Sequence, residues 1–162
     1  MSRVVVADAG PLIALARIDR LHLLHHLYGP VGVPTAVLDE LRLDSARPGA
    51  QALAEAQREG WLEVAAPSAD ATQLRQVLDP GEAEAVLLAE EIACRFLLID
   101  ERRGRAVARR RGIPIVGTGG LLLGAKRAGQ LSSVTPELER LSEIGYRLAP
   151  TLVTEIRRLA EE

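Results

Sequence analysis

Four acidic residues have the type and setting for chemistry on a phosphorylated substrate: Asp8, Glu40, Glu82 and Asp100. Asp8 directly follows the apolar run Val4-Val5-Val6-Ala7, and Asp100 directly follows Phe96-Leu97-Leu98-Ile99. In open α/β sheets, sites form beyond the carboxyl ends of the strands, where such acids fall. Each acid taken singly also fits a cap on the next helix or turn. Helical geometry selects the other two. At 100° per residue Glu82 shares a face with Val86, Ala89 and Ala93, whereas Glu84 projects with Leu88 and Glu91. Glu40 follows Ala36 and Val37 at i−4 and i−3, so it leans over an apolar stripe, while Asp39 follows Thr35. A first-turn acid favoured by the helix dipole is the plainer account of Glu82, and an arginine partner the plainer account of Glu40. Four carboxylates gathered in one pocket repel and cannot all stay ionised without a counter-charge. A hard divalent cation, Mg²⁺ or Mn²⁺, supplies that charge and accepts oxygen ligands.

A polyanionic partner fits the neighbouring charge. Residues 102–111 hold six Arg and no acid, while the rest of the chain carries 14 basic against 22 acidic residues, a net −8. Arg102, Arg105 and Arg109 share one helical face, and Arg103 and Arg110 another. A solvated helix face is the ordinary fate of such a run.

Other candidate groups are weaker. His22, His25 and His26 have i, i+3, i+4 spacing but no fourth ligand by motif, and leucines surround them. Cys94 reads as a small core residue, and Lys126, the only lysine, as a cation at a helix C-terminus. A single Cys excludes an internal disulfide and a Cys-based zinc site. Four aromatic residues in 162 exclude a base-stacking platform. The longest stretch without Asp, Glu, Lys or Arg is 21–38, interrupted by His, Gly and Pro, so no membrane segment is expected and a cytoplasmic protein is the default.

The elements that must position these residues alternate. Strands are predicted at 4–7, 31–33, 61–64, 96–99 and 113–116, the last with a Pro suited to a sheet edge. Helices are predicted from Gly10-Pro11 onward, then at 19–27, 34–42, 48–60, 69–78 (with Ser68 as cap), 82–93, 102–111, 119–128, 136–144 and 150–161. The alternation argues for an α/β sandwich around a parallel sheet of about five strands, in one domain spanning 1–162 whose C-terminal helices occupy about 136–161.

With these pieces in order, the sequence resembles the PIN-domain family of metal-dependent ribonucleases, whose bacterial members include the VapC-type toxins. The carrying stretches are VVVADAGPLIALAR (4–17), VPTAVLDEL (33–41), DPGEAEAVLLA (79–89) and LLIDERRGRAVARRRGIPIVGTGGLLLGAKRAG (97–129). They are most similar to a subgroup in which DAGPLI, GEAEA and GT segments recur. The resemblance implies a three-layer α/β/α sandwich and metal-dependent cleavage of RNA phosphodiester bonds, leaving a 5′-phosphate and a 3′-hydroxyl. It matches Asp8 to the family's first acid, Glu40 to the second and Asp100 to the fourth. The third acid is Asp in many members; here it is Glu82 or Glu84, and spacing to Ala89 and Asp100 favours Glu82. Asp8, Glu82 and Asp100 would be metal ligands, with Glu40 a ligand directly or through water. Arg102, Arg103, Arg105 and Thr118 would contact substrate. Leu98 departs from a Thr found there in many members, and Thr118 would supply the hydroxyl instead. The resemblance further implies an RNA substrate, an antitoxin protein partner, a type II toxin role and a homodimer.

Two other classes remain. One is a non-catalytic PIN-like interaction module. The other is a receiver-like phosphoacceptor or nucleotide-binding α/β domain, built on Asp8, Asp100, Thr118, Lys126 and the Gly117–Gly120 turn. The receiver reading lacks an Asp after its middle strand, and no GxGxxG or GxxxxGK[ST] fingerprint is present.

Overall fold

The computed structural model describes residues 4–162. Its centre is a five-stranded, all-parallel sheet in the order β3-β2-β1-β4-β5. The strands are β1 (Val5–Ala7), β2 (Val31–Val33), β3 (Leu62–Val64), β4 (Leu97–Leu98) and β5 (Ile115–Val116). Val5, Val6 and Ala7 of the central strand are all fully buried, which requires helices on both sheet faces. The register runs Val5 to Val31 and Val6 to Leu97. The expected α/β sandwich is therefore present, with nine α-helices among the described residues.

In chain order the helices are α1 (Ala9–Arg17), α2 (His22–Tyr28), α3 (Thr35–Leu41), α4 (Ala50–Arg58), α5 (Pro80–Glu91), α6 (Arg102–Arg110), α7 (Thr118–Arg127), α8 (Thr135–Glu143) and α9 (Pro150–Leu159).

 The last of these, α9, ends at Leu159 and packs on α7. α5 packs against α3, α6, β1 and β4, and α1 packs against α3 and α4. The core is aliphatic, as the composition requires, with Leu12, Leu15, Leu97, Leu98 and Ile99 fully buried. Trp61 closes one end of it and stacks on His25 at 5.0 Å. The His22 and His26 rings meet edge to face at 5.4 Å on the exposed side of α2. Cys94 is buried, and Lys126 donates to the Ala160 carbonyl at the end of α9.

Two readings of the sequence need correction. The segment 69–78 is not an α-helix; only Leu74–Gln76 forms a 3₁₀ turn. Its polar residues bond locally instead, with Thr72 donating through N–H and hydroxyl to Asp70, and only Ala71 and Leu78 are buried there. Ser68 caps nothing and donates its N–H to the Glu91 carboxylate at 2.8 Å. Secondly, α5 is not amphipathic. Eight of the nine residues from Gly81 to Ala89, all but Glu84, are buried around its whole circumference, and Ala93 lies beyond its end, exposed.

β5 forms one edge of the sheet. Pro114 stands just before it and offers its carbonyl to Leu97 N–H at 2.8 Å, the one backbone group a proline can contribute.

Candidate active site

The strand order reverses at β1, which pairs with β2 on one side and β4 on the other. Such a switch point opens a crevice at the carboxyl ends of the strands, because the following connections leave in opposite directions. Asp8 and Asp100 stand on its two sides. The Asp8 N–H donates to Leu98 O at 3.0 Å, which ties the end of β1 to the end of β4. Asp8 then leads into α1, and its residue is only 7% exposed.

α5 brings in two more acids through its N-terminus. Asp79 is the N-cap and accepts from Glu82 N–H at 2.8 Å, while Glu82 reaches back to Asp79 N–H at 3.4 Å. This reciprocal box satisfies two donors that the helix start leaves free, and Pro80 at the first helical position needs none. The consequence is that two carboxylates are locked side by side. α3 supplies Glu40. A Cβ at position 81 would stand 3.1 Å from Glu40 Oε1 and 3.6 Å from Asp79 Oδ1, so both carboxylates close on the same point of the α5 start. Glu40 is exposed, and Arg47 holds its backbone carbonyl at 3.0 Å rather than its side chain.

Asp100 is anchored separately. Its Oδ1 accepts from Thr118 N–H at 2.7 Å, and its Oδ2 accepts from the hydroxyls of Thr118 and Tyr146. Thr118 is fully buried at the start of α7. Its hydroxyl therefore holds Asp100 and is not open to a substrate, contrary to the substrate contact expected of Thr118.

Electrostatics tie these acids into one group. Burial drives the Asp8 carboxyl from its ordinary 3.8 up to about 7, and the charges of Asp79, Glu40 and Asp100 add to that. Burial pushes Glu82 up to about 8, helped by Asp79, Asp8 and Glu101. Glu40 is raised by burial and by Asp79, with Arg47 opposing. Desolvation and like charge act in the same direction, so the group favours either protons or a cation. Glu84 is turned elsewhere. It accepts from Ala36 N–H at 3.2 Å and pairs with Arg75 at 2.8 Å, which ties α5 to α3 and to the 3₁₀ turn.

The donor set suits a hard cation, being all carboxylate oxygen. Among the described residues no three His, Cys, Asp or Glu side chains stand in a ready coordination arrangement.

The arginines divide into two kinds. Arg105 is half-buried and donates to Ile99 O at 2.8 Å, beside Asp100; burial lowers its pKa and Asp100 opposes that. Arg102 and Arg103 are exposed on the first turn of α6, and no ion pair among the described residues engages them. A groove of about 600 Å³ runs from Asp100 and Arg105 past Gly117 and Gly120 to Arg147 and Leu152.

Asp79 and Tyr146 are absent from the acids and partners that sequence reasoning selected. Asp79 carried a legible signal, an Asp three residues before Glu82 at a helix start. Tyr146 carried none, since it meets Asp100 across 46 residues of chain.

No helix is long and apolar enough to cross a membrane among the described residues. No curated protein matches the chain. A family model described as a PIN domain matches residues 4–162. PIN domains are typically nucleases that act on nucleic acid and generally use divalent metal ions. With that match running over nearly its whole length, the chain belongs to the PIN-domain family.

Proposed function

We propose that the protein is a Mg²⁺- or Mn²⁺-dependent endoribonuclease that hydrolyses RNA phosphodiester bonds at the β1/β4 switch point. The observation that carries this is the convergence of Asp8, Glu40, Asp79 and Glu82, with Asp100 alongside, at the carboxyl end of β1, where burial and mutual charge raise the pKa of Asp8 and Glu82. A bound divalent cation would lower the pKa of an attacking water and neutralise charge at phosphorus.

The residues of the chain take distinct parts in this reading. Asp8, Glu82 and Asp100 would hold the cation, and Asp79 would keep Glu82 in place through the capping box. Glu40, which is exposed, would orient the nucleophilic water or bind the cation through water. Thr118 fixes Asp100 from behind. Arg102 and Arg103, free of ion pairs among the described residues, would meet substrate phosphates, and Arg105 would meet the phosphate next to Asp100. Hydrolysis by in-line attack would leave a 5′-phosphate and a 3′-hydroxyl.

The test is incubation of purified protein with tRNA and structured RNA in Mn²⁺, Mg²⁺ or EDTA, with Asp8→Asn and Asp100→Asn as controls. Cleavage only in the metal-containing wild-type reactions is the expected result. Cleavage that survives EDTA, or that both variants retain, would remove the proposal. The resemblance to VapC-type toxins extends the proposal to a homodimeric, cytoplasmic toxin of a type II pair, restrained by an antitoxin. Growth arrest on induction, absent in the Asp8→Asn variant, would bear that role out; normal growth would count against it.

A further inference from the structure

The loop between α8 and α9 reaches the acid cluster at Asp100. α8 ends in a Schellman turn, with Tyr146 N–H donating to Leu141 O at 2.9 Å and Gly145 N–H to Ser142 O at 3.0 Å. Gly145 has φ +83, a left-handed conformation that costs glycine little and a side-chain-bearing residue more. This turn reverses the chain, and the half-buried Tyr146 ring drops onto the first turn of α1, which follows β1. A Cβ at position 10 would stand 3.3 Å from Tyr146 Oη. The same hydroxyl donates to Asp100 Oδ2 after β4. One phenol thus touches the chain on both sides of the switch point.

We propose that Tyr146 is a positioning residue for the candidate metal site: its hydroxyl, with Thr118, fixes the Asp100 carboxylate and leaves it one acceptor position for a cation. This rests on the reading of Asp100 as a metal ligand. A carboxylate offers about four acceptor positions. Thr118 N–H, Thr118 hydroxyl and Tyr146 hydroxyl occupy three of them. Partners that orient a metal-binding carboxylate commonly change metal affinity or activity by about 10–100-fold when removed.

The test compares wild type with Tyr146→Phe, which keeps the ring and deletes the hydroxyl. Mn²⁺ is titrated by its effect on Tm, and RNA cleavage is resolved into kcat and KM. The expected result is a metal-free Tm close to wild type, a Mn²⁺ midpoint raised about tenfold, a kcat lowered about tenfold and an unchanged KM. A Gly10→Ala variant, whose new methyl crowds Oη without deleting it, should raise the Mn²⁺ midpoint in the same direction. An unchanged midpoint and kcat in Tyr146→Phe would reduce the tyrosine to a packing contact and overturn the proposal. Tighter Mn²⁺ binding or faster cleavage would overturn it too, by showing that the phenol obstructs the site. If wild type itself shows no Mn²⁺-dependent change in Tm, the metal-site reading fails first and this inference falls with it.

Discussion

Replacing Asp8 by Asn should stabilise the metal-free protein while abolishing cleavage. The folded-state pKa of Asp8 lies near 7 against an ordinary 3.8, because the residue is 7% exposed and faces other acids. A raised carboxyl pKa means that the folded state prefers the protonated form. Its contribution is fully present below about pH 4 and is lost as pH climbs through about 7. The gap corresponds to at most about 4 kcal/mol. Relaxation and water entry reduce such penalties, so about 1–3 kcal/mol is the expected gain from the neutral, nearly isosteric amide at pH 8. For a domain of this size that raises Tm by roughly 3–10 °C. The assay is thermal unfolding in EDTA at pH 5 and pH 8. The variant should exceed wild type clearly at pH 8 and by much less at pH 5. A variant that is less stable than wild type at pH 8, or whose advantage ignores pH, would refute the argument that the acids crowd each other.

Thr118→Val deletes a fully buried donor to Asp100 and should cost about 1–2 kcal/mol by denaturant unfolding, with slower cleavage. Glu84→Gln should leave the Mn²⁺ midpoint and cleavage within about twofold, since Glu84 pairs with Arg75; an effect equal to that of Glu82→Gln would move Glu84 into the site. Arg102→Ala and Arg103→Ala should each change stability by less than about 0.5 kcal/mol. Each should also weaken RNA binding and flatten its salt dependence by about 0.7 in log–log slope, as fluorescence anisotropy across a salt series would show.

Some of this arrangement was legible in the residues and some was not. Asp8 and Asp100 stand out because a buried strand makes a continuous apolar run, and the first acid after it marks the carboxyl end. The five strands followed from the same signal, although pairing spans only two or three residues in each. α5 was harder to read. Burial on all sides erases the helical period, so the face argument that separated Glu82 from Glu84 rested on a pattern the packing does not use. The capping box, not the apolar face, aims Glu82, and Arg75 in the misread 69–78 segment claims Glu84. Tyr146 was beyond reach, because its position depends on how the Gly145 turn folds back onto a sheet formed much earlier in the chain.

The central claim is that these carboxylates share one cation, and calorimetric titration of Mn²⁺ at pH 7 in buffers of different ionisation enthalpy tests it directly. At that pH Asp8 and Glu82 still hold protons, so binding should release about one proton or more per site, and Asp8→Asn should lose both binding and release. Binding without proton release, or binding that Asp8→Asn leaves intact, would contradict it.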